Sequence, residues 1–350
     1  MHIQKKIKVL VKLGAVMKSI GEKASWGGFD SGITQDEYEL LDLWTSKAKI
    51  YNGWFEEKEV RRAFASWGEA LTAKNLTKWI GNYCIPGVKE PKTIAIIMAG
   101  NIPMVGLHDL ICTYLTGNKA LIKLSSDDDK LIPALLQVWS CFDPDVITNV
   151  KIAVAKMENF DAVIATGSNN SARHFEEYFG KYPNIIRKNR TSVAVIDGTE
   201  SDEEMKALAD DIFAYYGLGC RNVTKLYLPK GYDLDKVFGG LFHYKNVTDN
   251  KKYGNNYDYH QAVFLLEQYD ILENGFILLK QDAGLTSPIG TLFYDSYEDK
   301  TDLYQKLAER EHEIQCIVAK DKIPFGQSQN PNLWDYADGV DTLDFLLNLK

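Results

Sequence analysis

Short apolar runs that alternate with helical patterns constrain the fold of this chain more than any other feature. The runs "TIAIIMAG" (93–100), "KALIKL" (119–124) and "DAVIAT" (161–166) are nearly continuous in apolar residues, and a helical pattern follows each. A strand that is apolar on both faces belongs to a sheet covered on both sides, which is typical of parallel sheets in α/β proteins. The sequence therefore predicts a doubly wound α/β domain.

The same alternation continues in the second half of the chain. Further apolar runs that predict strands lie at 192–197, 223–229, 276–280, 290–295 and 313–319. Because both halves repeat this pattern, we predict two doubly wound α/β domains in one chain.

We place the boundary between the two predicted domains in the run "KYPNIIRKNR" (181–190). The first domain covers residues 1–188 and includes a helical N-terminal segment, because residues 35–83 carry apolar positions at helical spacing. The second domain covers residues 189–325. We expect the C-terminal segment 326–350 to pack back on the first domain.

Charge and cysteine content limit the class of function. The formal net charge of −8 argues against a general nucleic-acid binder, because phosphate contacts need a basic surface. The five cysteines form no CxxC pair and no zinc-type Cys/His spacing, so the sequence predicts neither a metal site nor a disulfide framework. We therefore expect a cytoplasmic protein that acts on small molecules.

The N-terminal residues form a pattern that is apolar on one helical face and rich in lysine on the other. Ile3, Ile7, Leu10 and Met17 share the apolar face. Such a helix either makes a peripheral contact with a membrane surface or packs on its own domain, and the pattern leaves both interpretations open. No stretch is long and apolar enough to span a bilayer.

Two loops that follow predicted strands carry polar side chains suited to binding. Asn101 follows the first strand, with Pro103 expected in the first turn of the next helix. This asparagine either caps the helix or directs its amide at developing negative charge. Lys123 ends the second strand, and Ser125 and Ser126 are expected to open a helix, where they either cap it or hold a nucleotide.

The third predicted strand ends in a small turn. Thr166, Gly167 and Ser168 lead from the strand into a helical pattern. A small turn at a helix N-terminus suits a pyrophosphate, although the chain contains no G-x-G-x-x-G fingerprint.

Cys220 has an unusual setting among the cysteines, because it lies in "GLGCRN" just before an apolar strand. Cys112, Cys141 and Cys316 lie within apolar patterns and are interpreted as core residues. His260 lies in a tyrosine-rich run, where it serves as a general acid or CoA contact, or has only a helix-cap or packing role.

The order of these motifs resembles the aldehyde dehydrogenase superfamily. Its members carry an Asn-x-Pro loop, a Lys-x-Ser loop, a Gly-Ser turn and a nucleophilic cysteine in this sequence. Within it, "GNIPMVGLHDL" and "YYGLGCRNVTKLYLP" most resemble the acyl-CoA reductases of the LuxC type, the fatty acid reductase component of bacterial luminescence systems. The resemblance implies the aldehyde dehydrogenase fold, with a Rossmann-like cofactor domain and a catalytic domain.

The resemblance also implies the catalytic residues. Cys220 matches the nucleophile, and Asn101 matches the amide that forms an oxyanion hole with the Cys220 backbone N–H. Hydrolytic members carry a water-activating glutamate ahead of the cysteine, but the corresponding run here, "NIIRKNRTS", holds no carboxylate. A thioester on Cys220 should therefore resist water.

The cofactor implied by the resemblance is a nicotinamide dinucleotide. Lys123 and Ser125 match the loop at its adenosine end, and the turn 166–168 matches the contact with its pyrophosphate and nicotinamide. NAD-using relatives commonly carry a glutamate where this chain has Ser126, so we expect NADPH, with NADH as the alternative. The acidic run 127–129 is interpreted as solvent-facing.

We therefore predict reduction of a fatty acyl thioester, an acyl-CoA, to its aldehyde through an acyl-cysteine, with CoA as leaving group. One alternative is an aldehyde dehydrogenase that oxidises an aldehyde to an acid. Another is an acyl carrier or cofactor-binding protein without turnover. The sequence does not show whether a partner enzyme delivers the acyl group. It also leaves homo-oligomerisation open, because "PGVKEPK" leaves little room for the β-hairpin arm that builds oligomers in the superfamily.

Overall fold

The structure is a computed structural model that describes residues 3–85, 90–154 and 156–349. Residues 86–89, in the run "PGVKEPK", lie outside these ranges, so the prediction about the β-hairpin arm stays a prediction. No helix in the described residues is both long and apolar enough to cross a membrane. The same residues contain no group of three or more His, Cys, Asp or Glu side chains that could hold a metal ion.

The chain divides into two compact units. The first consists of residues 1–188 and 331–350, and the second of residues 189–330. Each unit contains its own sheet, one of five strands and one of six. The fold class predicted from the alternating apolar runs is confirmed.

Four helices begin the first unit: α1 (Ile3–Gly21), α2 (Gln35–Tyr51), α3 (Glu57–Ala70) and α4 (Ala73–Ile80). The apolar face of α1 is buried, since Ile7, Leu10 and Met17 are at most 6% exposed. This helix lies so close to α3 that a Cβ added at Gly68 would stand 2.6 Å from the backbone nitrogen of Lys18. The membrane-surface interpretation of this face is therefore wrong, because the face packs within its own unit.

The sheet of the first unit is parallel throughout, in the order β3-β2-β1-β4-β5. Its strands are β1 (Thr93–Ile97), β2 (Lys119–Lys123), β3 (Val150–Ile152), β4 (Ala162–Thr166) and β5 (Asn184–Arg187). The helices between them are α5 (Leu107–Thr116), α6 (Leu131–Phe142), α7 (Asp145–Asn149) and α8 (Asn169–Phe179). Ile97 at the end of β1 is in register with Lys123 of β2 and Ala165 of β4. The loops that follow these three strands therefore leave the same edge of the sheet, where ligands of open α/β sheets bind.

The sheet of the second unit has the order β11-β6-β7-β10-β9-β8, and only β8 is antiparallel to its neighbour. Its strands are β6 (Thr191–Val195), β7 (Val223–Pro229), β8 (Ile271–Glu273), β9 (Leu278–Gln281), β10 (Thr291–Tyr297) and β11 (Ile314–Val318). Its helices are α9 (Asp202–Phe213), α10 (Leu234–Leu241), α11 (Lys251–Leu266) and α12 (Lys300–Glu309). A 3₁₀ turn over Ala214–Gly217 separates α9 from the loop that leads into β7.

The C-terminal helix α13 (Thr342–Leu347) belongs to the first unit. A buried ion pair helps to hold it, because the Arg187 guanidinium donates to both carboxylate oxygens of Asp109 at 2.6 and 2.9 Å. Arg187 also donates to the Thr342 hydroxyl at 3.1 Å. The arginine at the end of β5 thereby joins α5 to α13.

Residues 326–330 belong to the second unit, although the sequence assigned them to the C-terminal segment. The buried carboxylate of Asp211 on α9 accepts hydrogen bonds from the backbone N–H of Gly326 at 2.6 Å and of Ser328 at 2.9 Å. These bonds tie the segment to α9, and a carboxylate on a distant helix gave no signal of them in the sequence.

The interpretation of Cys141 as a core residue is wrong, whereas Cys112 and Cys316 are buried as predicted. Cys141 is exposed on α6, and its thiol donates to Glu37 Oε1 at 3.1 Å. Partial burial and this hydrogen bond raise the pKa of the Cys141 thiol to about 11. The apolar letters around it mark the inner face of the helix, which Val138 and Trp139 occupy.

Candidate active site

The Asn101 loop connects β1 to α5 in the first unit. Asn101 is exposed, and α5 begins only at Leu107 with Gly106 as its N-cap at φ 91°. Pro103 is therefore not in the first turn of the helix, and the interpretation of Asn101 as the helix cap is wrong. A turn of several residues separates the strand from the helix, and Gly106 stands at the N-cap position in place of Asn101.

The Lys123 loop connects β2 to α6. Lys123 is the last residue of its strand, and its Nζ lies 3.5 Å from the carbonyl oxygen of Val154. Ser125 Oγ accepts a hydrogen bond from the backbone N–H of Asp127 at 3.2 Å, and Ser126 is exposed. The prediction that these serines open a helix is wrong, since α6 begins at Leu131 and residues 125–127 form a separate turn.

The third loop has the predicted strand–turn–helix form. Thr166 ends β4, and Ser168 caps α8 by accepting a hydrogen bond from the backbone N–H of Ser171 at 3.2 Å. A Cβ added at Gly167 would stand 2.9 Å from side-chain carbons of Ser171 and Phe175. Only glycine fits this close approach of the helix, and an exposed helix N-terminus follows it.

The Asn101 and Lys123 loops are in contact with each other. A Cβ added at Gly100 would lie 2.6 Å from Ser125 Oγ. Asp128 Oδ2 accepts a hydrogen bond from the backbone N–H of Met104 at 2.7 Å, which joins the second loop to the first. Met104 has φ 60°, in the left-handed region that few residues other than glycine adopt.

Asp128 is a residue that sequence reasoning misjudged. Asp127 and Asp129 are exposed as expected, but Asp128 is only 6% exposed, so the solvent-facing interpretation of the run fails at its centre. Among the described residues, no hydrogen-bond partner faces its Oδ1. Burial raises the pKa of the Asp128 carboxyl to about 6. A run of three acidic letters gives no signal that one of them points inward.

Cys220 lies in the second unit, between the 3₁₀ turn and β7. Its side chain is exposed, and its carbonyl oxygen accepts a hydrogen bond from Ser192 Oγ at 2.9 Å. The turn before it is left-handed over three consecutive residues, with φ 51° at Tyr215, 58° at Tyr216 and 79° at Gly217. Cys220 therefore follows a strained turn by three residues, and it is exposed and not packed as core filler.

The two residues between Cys220 and β7 complete the second-unit site. Arg221 Nη1 donates to the carbonyl oxygen of Ser328 at 3.2 Å. Asn222 is completely buried, and its side chain makes hydrogen bonds on both sides of the left-handed turn. Sequence reasoning missed Asn222, although an asparagine two residues after the candidate nucleophile was a visible signal.

His260 lies on α11 and packs among aromatic rings. Its ring centroid is 5.0 Å from that of Tyr259 and 5.9 Å from that of Phe264. Burial lowers the pKa of its imidazole. These contacts support the packing interpretation of this residue.

The residues predicted to bind the cofactor carry chemical groups that suit a dinucleotide. An ammonium at Lys123, hydroxyls at Ser125 and Ser126, and the N-terminus of α8 after Gly167 all follow neighbouring strands at one edge of a parallel sheet. Ammonium groups and helix N-termini bind phosphate, and hydroxyls bind ribose.

Comparison with solved structures shows the fold. An aldehyde dehydrogenase from Physcomitrella patens, solved with succinate, superposes with a TM-score of 0.64 at 13% identity over 92% of this chain and 79% of that one. An aldehyde dehydrogenase from Bacillus cereus, solved with NAD+, gives 0.58 at 11% identity over 92% and 72%. The chain has the aldehyde dehydrogenase fold.

Sequence comparison finds similarity to one family of reductases. The model of the acyl-CoA reductase family LuxC matches residues 88–236. A long-chain acyl-protein thioester reductase from Aliivibrio fischeri is 23% identical in an alignment 289 residues long that covers 71% of this chain and 58% of the relative. The chain spans between 44% and 58% of the length of the curated relatives it matches. Residues 88–236 are therefore similar to the LuxC acyl-CoA reductases, which is the resemblance that the motifs predicted.

Proposed function

We propose that this protein reduces a fatty acyl-CoA to the aldehyde, with NADPH, through a thioester on Cys220. The observation that carries the proposal is the exposed Cys220 just after a strained, left-handed turn. Cys112 and Cys316 are buried, and the exposed Cys141 lies within a helix. The similarity to the LuxC acyl-CoA reductases supports an acyl thioester as the substrate. A thiol nucleophile acts only while reduced, which supports the cytoplasm as its compartment.

The first half of the proposed reaction is acyl transfer. The Cys220 thiolate attacks the acyl carbonyl, the bond between the carbonyl carbon and the CoA sulfur breaks, and CoA leaves as a thiol after taking up a proton. The resemblance assigns the Asn101 amide and the Cys220 backbone N–H to the oxyanion of the tetrahedral intermediate. One such donor contributes about 3 to 4 kcal/mol in comparable sites.

The second half is reduction of the thioester, and a reduced nicotinamide supplies the hydride when bound. Reduction converts the thioester on Cys220 into a thiohemiacetal. The bond between its carbon and the Cys220 sulfur then breaks, which releases the aldehyde and regenerates the thiol. The balanced reaction converts acyl-CoA, NADPH and a proton into aldehyde, NADP+ and CoA.

Hydrolysis of the acyl-cysteine is slow in this scheme because the segment that would supply a general base lacks one. The run 184–192, which resembles the segment carrying the glutamate of hydrolytic relatives, holds no carboxylate. Arg187 in this run is buried, and its guanidinium is paired with Asp109, so this side chain does not serve as a general base either. The acyl-cysteine therefore persists long enough to be reduced.

The proposed cofactor site consists of Lys123, Ser125, Ser126 and the turn 166–168. The preference for NADPH rests on Ser126, an exposed hydroxyl where a carboxylate would repel a 2′-phosphate. The ammonium of Lys123, which lies 3.5 Å from the Val154 carbonyl oxygen, would attract that phosphate. NADH remains the alternative cofactor.

Consumption of NADPH and NADH with acyl-CoA substrates of increasing chain length tests the proposal. We expect aldehyde, oxidised cofactor and CoA in equal amounts. Formation of free acid from an aldehyde and NADP+, with no reaction of acyl-CoA, would instead identify an oxidising aldehyde dehydrogenase. Labelled acyl-CoA that marks the protein but yields no aldehyde would identify an acyl carrier.

A further inference from the structure

We propose that Asn222 is the positioning residue for Cys220, because one buried amide joins the beginning and the end of the left-handed turn that presents the thiol. This inference rests on the proposed role of Cys220 as the nucleophile.

The turn needs an external constraint. Tyr215 and Tyr216 both have φ values in the left-handed region, where a side chain crowds the backbone and residues other than glycine are rarely found. Both tyrosines are buried, at 6% and 2% exposure, and Gly217 continues the left-handed path. Three such residues in succession persist only where the surroundings hold them.

Asn222 supplies that constraint from the far side of Cys220. Its Nδ2 lies 3.1 Å from the carbonyl oxygen of Asp211, 3.2 Å from that of Ile212 and 2.8 Å from that of Ala214. These carbonyls belong to the last turn of α9 and the residue after it, where a helix leaves its oxygens without intrahelical donors. The amide thus anchors the beginning of the turn.

The same side chain holds the end of the turn. Asn222 Oδ1 accepts a hydrogen bond from the backbone N–H of Gly219 at 2.8 Å, and the Asn222 backbone N–H donates to the Gly219 carbonyl at 3.0 Å. Gly219 immediately precedes Cys220. The position of the nucleophile is therefore set by the two ends of one amide, with Ser192 Oγ holding the Cys220 carbonyl from β6.

Only an amide of this length performs both tasks. Aspartate at 222 would keep an acceptor for the Gly219 N–H but would turn a carboxylate oxygen toward three carbonyl oxygens. Alanine would remove donor and acceptor together. In both cases the buried groups left behind lose their partners, and the turn is expected to relax away from its left-handed form.

The test compares Asn222→Asp and Asn222→Ala with a matched control, Asn118→Asp. Asn118 is a buried amide of the first unit that accepts from the Lys92 N–H at 3.1 Å and donates to the Thr116 hydroxyl at 3.2 Å. It lies outside the proposed site. The control therefore reports the general cost of losing a buried amide.

Two readouts separate positioning from stability. The first is kcat and KM for acyl-CoA reduction, where both Asn222 variants should lose roughly tenfold or more in kcat with little change in the KM for NADPH. The second is alkylation of Cys220 by iodoacetamide relative to exposed Cys84 of the same chain, mapped by mass spectrometry. The wild-type preference for Cys220 should fall in both Asn222 variants and persist in Asn118→Asp.

The outcomes are distinguishable from failure of the proposed function. If the wild-type protein is alkylated preferentially at Cys220 but makes no aldehyde, the proposed reductase activity is refuted. The alkylation ratios of the variants then still test the positioning role of Asn222. Folded Asn222 variants with wild-type kcat and wild-type alkylation ratio overturn the inference. If neither variant folds, hydrogen exchange of the wild-type protein tests the inference. The Gly219 N–H should be protected from exchange, and exchange as fast as that of an exposed loop would contradict the role of Asn222.

Discussion

The buried carboxyl of Asp128 gives a quantitative prediction about pH and stability. Its exposed fraction is 6%, one oxygen accepts from the Met104 N–H at 2.7 Å, and burial raises its pKa from 3.8 to about 6. Between these two values the unfolded chain releases the proton while the folded chain keeps it. The free energy of unfolding therefore falls as pH rises through this range, and the loss is complete above the folded-state pKa.

The size of the effect follows from the difference between the two pKa values. At about 1.4 kcal/mol for each pH unit, it corresponds to roughly 3 kcal/mol. Asp128→Asn keeps an oxygen for the Met104 N–H but carries no charge, so it does not titrate. Relative to this variant, wild type should lose about 3 kcal/mol of stability between about pH 4 and pH 7.

Urea unfolding at a series of pH values, followed by tryptophan fluorescence, measures this difference. The matched control is Asp127→Asn, which removes one negative charge from an exposed neighbour and should keep the wild-type pH dependence. Other titrating groups, including Asp211 with a pKa raised to about 6 by burial, cancel in the comparison. Parallel stability curves for wild type and Asp128→Asn across this pH range would refute the reasoning.

Two further predictions concern the proposed reaction. Asn101→Ala should lower turnover by roughly a hundredfold while cofactor binding is retained; near-normal kinetics with a lower melting temperature would oppose its role at the oxyanion. Ser126→Glu should lower kcat/KM for NADPH relative to NADH by repelling the 2′-phosphate; an unchanged ratio would show that this loop does not contact that position.

The sequence predicted the sheet because the signal for it is local. The run 93–97 is apolar on both faces and is buried at its centre, and the same holds for 162–165. A strand with this pattern is stable only between two layers of helices. The α1 face was ambiguous for the opposite reason, since an amphipathic helix looks the same whether lipid or its own unit covers it.

The loops were harder to predict because their conformations depend on contacts made elsewhere. Proline after Asn101 suggested an early helix, yet the chain makes a turn first, in which Met104 adopts a left-handed φ and donates to Asp128. Neither a methionine nor an aspartate at these positions predicts the hydrogen bond between Met104 and Asp128. The role of Asn222 was equally hard to predict, because its amide bonds to carbonyl oxygens of α9 that come close to it only in the folded unit.

Covalent labelling tests the central claim most directly. Wild type incubated with a fatty acyl-CoA in the absence of reduced cofactor should carry one acyl group on Cys220, removable by hydroxylamine and released as aldehyde when NADPH is added. Cys84 and Cys141 are exposed, and Cys112 and Cys316 are buried, so the same digest contains four internal controls. Cys220→Ala should carry no adduct while keeping its fold. An adduct on any of the other four cysteines, or turnover by Cys220→Ala, would contradict the account.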